Sequence, residues 1–313
     1  MRVVVAGMGV QGHKRRRVAG ADCVACVDPV RDDVDYKHIT DVPMQNYDAV
    51  LACIPDEPKV DFLRYCLDNG KHVLVEKPLW APKEQDIIDL QAAAKRTGTV
   101  LYTAYNHRFE PHYVRMRELI ASGDLGEIYS CRMFYGNGTA RLVRDSLWRD
   151  HGAGVLPDLG SHLLDTCRFW FSDFADGFRL IGAYAFENVA PDHVVIGSEA
   201  AKPRIELEMT LLMWRNHFTC DILAEKGTAH IESLCKWGPS TFTRRTRILP
   251  SGRPPEQAVT LVQEDPTWVA EYAHFKALVE GGAKADLSTD LWLHRALERL
   301  GRDAEASIKE TRA

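Results

Sequence analysis

Apolar residues in the first hundred positions fall in short continuous runs. Arg2–Ala6, Val24–Val27, Ala49–Ile54, His72–Val75 and Thr99–Ala104 are such runs, rich in β-branched residues. That pattern predicts five strands of a parallel sheet buried on both faces. Helical patterns lie between the later runs. Pro58 to Asn69 opens with proline in the first turn and stops at Asn69-Gly70, a C-cap pair. Lys83 to Thr97 carries Ile87, Ile88, Leu90 and Ala94 and ends before Gly98. Strand–helix–strand repetition implies right-handed crossovers and a doubly wound sheet.

The pattern changes after about residue 107. A helix is predicted over Pro111–Ser122, a strand over Glu127–Gly136, and a second helix from Pro157 to about Ser172. Strand-like segments follow at about 178–187, 193–199, 204–212, 216–224, 228–235, 241–249 and 258–263, separated by Pro, Gly and Asn. These make a largely antiparallel sheet. Two helices, at about 266–280 and 289–307, finish the chain; Pro266 opens the first, and Ser288 or Thr289 can cap the second. The expected organisation is two domains: residues 1–106, an α/β domain on a parallel sheet, and 107–313, an α+β domain with a large, mainly antiparallel open sheet.

Composition narrows the function classes. With 313 residues, 45% hydrophobic and 27% charged, the chain is ordinary globular material of about two domains. A formal net charge of -5 gives no reason to expect nucleic acid or an anionic membrane as partner. No apolar run approaches the roughly 18 residues a membrane-spanning helix needs. The apolar start ends at Gly7-Met8-Gly9 and is followed by Lys14–Arg17, which does not suit a signal peptide, so a cytoplasmic location is expected. The basic run itself reads as a solvated helix face. Eight cysteines in a chain this long form no disulfide framework. Cys23 and Cys26, three apart on a predicted strand, are expected on opposite faces, unable to share a metal. No metal site is predicted.

The chemistry-bearing segment at the start is Gly7-Met8-Gly9-Val10-Gln11-Gly12, between the first strand and a helix. In a dinucleotide site the first glycine makes the tight turn, the second lets the backbone approach the pyrophosphate, and the third allows close helix–strand packing. Phosphates then meet amide donors at the positive end of the helix. Asp28 ends the second strand sixteen residues after Gly12, where a carboxylate can accept hydrogen bonds from the adenosine ribose. NAD or NADP is the implied cofactor. NAD is favoured, because Asp28, Asp32 and Asp33 repel a 2′-phosphate, with Arg31 as the counter-argument.

Two further segments stand out. Gly70–Leu79 places Glu76 and Lys77 at the C-terminal end of a predicted strand, the edge at which open α/β sheets bind ligands. In the helix around residue 160, Asp158, His162 and Asp165 fall within roughly 60° of arc at 100° per residue. Leu159, Leu163, Cys167 and Trp170 form a separate apolar stripe. An imidazole between two carboxylates can be tuned to exchange a proton near neutral pH. Taken alone, each segment also fits a surface lysine and a helix-surface histidine paired with acids.

Together these segments resemble the glucose–fructose oxidoreductase, inositol dehydrogenase and rhizopine-catabolism (Gfo/Idh/MocA) family. The resemblance runs through Gly70-Lys71-His72-Val73-Leu74-Val75-Glu76-Lys77-Pro78, Tyr105-Asn106-His107-Arg108-Phe109 with Pro111, Trp148-Arg149, and Leu156-Pro157-Asp158-Leu159-Gly160-Ser161-His162. It implies a Rossmann domain followed by an α/β domain on an open antiparallel sheet, and NAD(P)-dependent oxidation or reduction of a sugar, polyol or sugar derivative. Lys77 and His162 would be the catalytic pair, with Asp158 orienting the substrate or the imidazole. The cofactor would meet Gly7, Gly9, Val10, Gln11, Gly12, Asp28, Ile54, Pro55, Glu76 and Lys77. The substrate would meet Asn106, Arg108, Trp148, Arg149, Asp158 and His162.

The chain departs from the family pattern in three places. The stretch from Asp28 to Ala49 leaves little room for a crossover helix, which puts the adenosine contacts of Asp28 in question. Asp56-Glu57-Pro58 follows Ile54-Pro55 where relatives usually have a polar turn with a histidine. Gly152-Ala153-Gly154 replaces a commoner triple glycine. Arg141, Arg144 and Arg149, with Arg108 and Arg168, read first as solvated arginines; the alternative is recognition of an acidic or nucleotide-linked sugar. Alternatives to a dehydrogenase are an NAD-dependent glycosidase using transient oxidation and a non-catalytic cofactor-binding regulator; the intact Lys77 and His162 weigh against the latter. A broad open sheet suits a homodimer or homotetramer.

Overall fold

The computed structural model describes residues 1–146, 149–171, 177–199 and 202–312. Two compact units appear: Met1–Asn106 with Thr267–His294, and His107–Pro266 with Arg295–Ala313.

In the first unit, β1 (Val3–Ala6), β2 (Cys23–Val27), β3 (Ala49–Ala52), β4 (His72–Glu76) and β5 (Leu101–Ala104) form one sheet in the order β2-β1-β3-β4-β5. Every pairing is parallel. The continuous apolar runs are explained by burial on both faces. Val4, Ala6, Val50 and Val73 pack with Leu63 of α2 (Lys59–Asp68) and Ile87 and Leu90 of α3 (Glu84–Thr97). Val3, Val5, Leu51 and Leu74 point the other way. That second face carries Ala19 of α1 (Val10–Ala19) and also Tyr272 and Phe275.

Those two aromatics correct the expected division of the chain. They belong to a helix (Thr267–Glu280) that the sequence pattern assigned to the second domain. Between β2 and β3 the chain makes only two 3-10 turns, Ile39–Asp41 and Met44–Asn46, in place of a crossover helix. The late helix supplies apolar cover to the face that carries α1. Ala285 and Leu287 likewise join the core on the opposite face.

Cys23 and Cys26 lie on one side of their strand, not on the opposite faces expected. Their sulfurs lie 4.0 Å apart. The register slips at Val3/Val4, where Cys23 and Ala25 are successive partners and Val24 is skipped. One extra residue resets the alternation, so two cysteines three apart come to the same side.

The second unit is built on an eight-stranded sheet. Its strands are β6 (Ile128–Gly136), β7 (Phe178–Tyr184), β8 (His193–Ser198), β9 (Arg204–Thr210), β10 (His217–Ala224), β11 (Gly227–Glu232), β12 (Ser240–Thr246) and β13 (Glu256–Leu261). The order is β13-β12-β11-β10-β6-β9-β8-β7, and only β6 and β9 run parallel. Two helices, α4 (Pro111–Ala121) and α6 (Ser161–Phe171), share this unit with the short α5 (Ala140–Arg144). Trp170 of α6 donates its indole N–H to the Tyr113 carbonyl at 3.0 Å, and the Tyr113 ring lies 5.0 Å from it. The late helix of the first unit is α7, and α8 (Ser288–Arg312) ends the chain. Among the described residues no helix is long and apolar enough to cross a membrane.

Candidate active site

The parallel sheet has its topological switch point between β1 and β3, the crevice in which open α/β sheets take ligands. The loop after β1 lines it, and its glycines divide by cause. Gly7 has φ +86, and a Cβ there would lie 2.3 Å from the Cys53 carbonyl oxygen. A Cβ at Gly12 would lie 1.9 Å from the Gly7 oxygen. Both glycines are demanded by the chain's own packing. Gly9 is not: nothing lies within 4 Å of its missing Cβ, and its φ of -75 suits any residue. Gly9 is also the N-cap of α1, which has no side-chain cap, and Val10 and Gln11 beside it are exposed. Open space over uncapped helix amides fits a diphosphate.

Asp28 braces this loop. Its Oδ2 accepts the Met8 N–H at 2.7 Å, and its Oδ1 accepts Val30 N–H at 2.9 Å and Arg31 N–H at 3.1 Å. Burial pushes the carboxyl up, and these N–H donors outweigh it, holding Asp28 below the ordinary carboxylate range. Arg31, the candidate for a 2′-phosphate, spends its fork on Asp33, with Nε and Nη2 at 2.8 and 2.7 Å from the carboxylate. Ile54 and Pro55 follow β3 on the other side of the crevice, Ile54 half-buried and Pro55 exposed.

Lys77 sits just past β4, half-buried. Its neighbour Glu76 is engaged: Arg15 Nε donates to Glu76 Oε1 at 2.7 Å, and Arg15 Nη1 lies 2.7 Å from Glu271 Oε2 of α7. Arg15 is 1% exposed and stacks its guanidinium 4.3 Å from the Trp268 ring centroid. The basic run is therefore not wholly a solvated face. Arg15 points inward and ties the phosphate-loop helix to the strand end bearing Lys77. Buried Lys59 does the same from α2, pairing with Asp56 and donating to the Pro78 carbonyl at 3.2 Å. Asn106, proposed for substrate, donates from Nδ2 to Thr267 Oγ1 at 2.8 Å and is buried.

The second unit holds the histidine. Residues Leu156–Gly160 form a widened, π-type turn that runs into α6. The wide turn changes the angular spacing between Asp158 and His162 from that of a regular α-helix. Asp158 stays half-exposed with Arg149 Nη2 3.6 Å away. His162 is 8% exposed and Asp165 1%. Asp165 is held by Arg108 in a two-pronged pair, Nε to Oδ2 at 2.9 Å and Nη2 to Oδ1 at 2.5 Å. Asp165 is buried, and Arg108, which answers its charge, is partly exposed. Arg141 and Arg144 likewise pair with Glu187 and Asp145 at 3.8 and 3.6 Å. Trp148 lies outside the described residues.

His162 has an unforeseen neighbour. His107 stacks on it with ring centroids 3.9 Å apart and 17° between planes, and the Tyr135 ring lies 6.1 Å away. Lys236 in turn donates to His107 Nε2 at 3.0 Å. His107 lies within the Tyr105–Phe109 motif, where the sequence assigned it no role; Lys236, in a turn between β11 and β12, carried no sequence signal. Among the described residues no group of three or more His, Cys, Asp or Glu is placed to hold a metal.

Two family models match this chain. Residues 13–105 match the oxidoreductase family with an NAD-binding Rossmann fold, and residues 113–230 match the Gfo/Idh/MocA C-terminal domain. The chain belongs to the Gfo/Idh/MocA oxidoreductase family. Inositol 2-dehydrogenase 3 of Saccharopolyspora erythraea is 24% identical over 307 residues, covering 91% of this chain and 88% of the relative. The oxidoreductase YdgJ of Escherichia coli (strain K12) is 33% identical over 132 residues, 41% of this chain and 37% of YdgJ. The stretch matched to YdgJ thus spans little more than a third of that relative's length. A levoglucosan dehydrogenase solved with NADH and L-sorbose superposes with a TM-score of 0.81 at 17% identity, covering 98% of this chain and 97% of the other. That likeness shows the fold: a Rossmann unit followed by a large open sheet.

Proposed function

We propose that this Gfo/Idh/MocA chain is an NAD(P)-dependent oxidoreductase acting on a hydroxyl-bearing carbon of a sugar, polyol or sugar derivative, with NAD preferred. The observation that carries the reading is Gly9: the chain itself has no use for a missing side chain there, whereas a diphosphate lying on the α1 amides does. The inositol and levoglucosan dehydrogenases named above support a polyol-type substrate.

The nicotinamide, when bound, supplies the acceptor or donor of hydride. Gly7–Gly12 and the first amides of α1 would hold the phosphates, and Asp28, kept ionised, would be available to ribose hydroxyls while it braces the loop. Lys77 donates a hydrogen bond to the reacting oxygen and stabilises its alkoxide character. His162 takes the hydroxyl proton in oxidation and returns it in reduction. Asp158 orients substrate hydroxyls. Glu76 acts through position, anchoring the segment that carries Lys77 to Arg15.

The test is a screen of sugars, polyols and sugar nucleotides with NAD and NADP, following nicotinamide absorbance. Stoichiometric change of cofactor with product is expected. Turnover with no net change in cofactor would replace the dehydrogenase by a transient-oxidation mechanism. Absence of binding to either cofactor would refute the proposal.

A further inference from the structure

The turn Cys235–Trp237 is clamped from beneath. Buried Glu110 accepts the Cys235 N–H at 3.2 Å and the Cys235 thiol at 2.8 Å. This fixes Lys236, whose Nζ donates to His107 Nε2 at 3.0 Å and to Tyr135 Oη at 3.3 Å, with the Trp237 ring centroid 4.7 Å away. An ammonium only donates. His107 must therefore offer the Nε2 lone pair and carry its proton on Nδ1. The ring so fixed lies flat on His162.

We propose that Lys236 is a positioning residue for His162: its ammonium, bonded to His107, keeps the stacked imidazole pair neutral and lowers the pH at which His162 takes a proton. The inference rests on His162 being the proton carrier of the proposed reaction.

Among the charges of the unit that holds His162, this role falls to Lys236. From the turn leading into the His162 helix comes Asp158, whose charge favours the protonated ring, and from the helix itself Asp165, which Arg108 neutralises and Arg168 also attracts. Asp158 is shared with Arg149. From β6 comes Tyr135, and from the segment before α4 comes His107. Burial pushes Lys236 below the ordinary lysine range, opposed by Asp265, Glu110 and Asp158. A cation one stacked ring from His162 opposes a second positive charge there.

NMR titration of the imidazole nitrogens in the full chain, without added cofactor, tests this. Signals of His162 and His107 are assigned from His162→Asn and His107→Gln. In Lys236→Met the His162 midpoint should rise by about one pH unit, and His107 should leave the Nδ1–H form. Lys236→Arg should hold the midpoint within about 0.3 unit, because it keeps the cation. Lys236→Gln, a neutral donor, should raise the midpoint while preserving the tautomer, and it serves if the methionine variant does not fold. An unchanged His162 midpoint in a folded Met or Gln variant overturns the proposal. Since no turnover is measured, failure of the catalytic reading, seen as full activity in His162→Asn, remains distinct.

Discussion

Gly9→Ala and Gly12→Ala place the same methyl group three residues apart, and the structure gives them opposite consequences. At Gly9 the new Cβ meets nothing within 4 Å, and the backbone is already extended with φ -75. The folded state accepts it. The unfolded chain loses freedom, so stability should hold or rise by about 0.4–1 kcal/mol. The methyl instead occupies the space over the α1 amides. Losing one charge-assisted hydrogen bond to a phosphate costs about 1.5–3 kcal/mol, or roughly 10- to 150-fold in cofactor affinity. At Gly12 the Cβ would stand 1.9 Å from the Gly7 carbonyl oxygen, a backbone atom that cannot rotate aside. Helix α1 must shift off the sheet, at an overpacking cost of about 1–3 kcal/mol or more. Denaturant unfolding and calorimetric titration with NAD, done on both variants, separate the two effects. Gly9→Ala that binds NAD within twofold of wild type would refute the assignment of this space to a diphosphate. Gly9→Ala that is less stable than Gly12→Ala would refute the packing argument.

Lys77→Ala and His162→Ala should each lower turnover about 100-fold or more while NAD affinity and unfolding stay near wild type, and the rise of oxidation rate with pH near neutrality should vanish in His162→Asn; steady-state rates across pH check both. Asp28→Asn should lower the thermal midpoint at pH 7 by about 2–4 °C for the loss of roughly 1 kcal/mol. Because the folded state holds the Asp28 carboxyl low, that contribution is present above about pH 4 and is lost as pH falls toward the folded value, so the two melting curves should converge in acid. Arg15→Met strands Glu76 and fully buried Glu271 without their cation and should destabilise the chain by about 3–5 kcal/mol in denaturant unfolding. Asp33→Ala releases the Arg31 fork and should narrow the preference for NAD over NADP; an unchanged ratio of dissociation constants would show that Arg31 does not reach the 2′ position.

Local sequence determined the elements and most of the loop chemistry. A run such as Val3–Ala6, β-branched and stopped by Gly7, reads as a strand buried on both faces, because every residue is apolar and the period leaves no solvent side. Gly7 and Gly12 follow from the turn that such a strand makes into a helix. Asp28 and Lys77 follow from their places at strand ends. These are short-range consequences of covalent geometry and burial, legible wherever the spacing is kept. Tertiary structure decided what each charge was for. Arg15 lies in a run of four basic residues and differs from its neighbours only by pointing at Glu76 and Glu271, the latter 256 positions away. Arg108 and Asp165 cancel one another inside the fold. A one-residue bulge brought Cys23 to Cys26. His107 and Lys236, 129 positions apart, meet only because a turn between two strands is pinned by Glu110. Periodicity specifies which side of an element a residue occupies, whereas electrostatics depends on distances of a few ångströms between elements, and packing alone sets those.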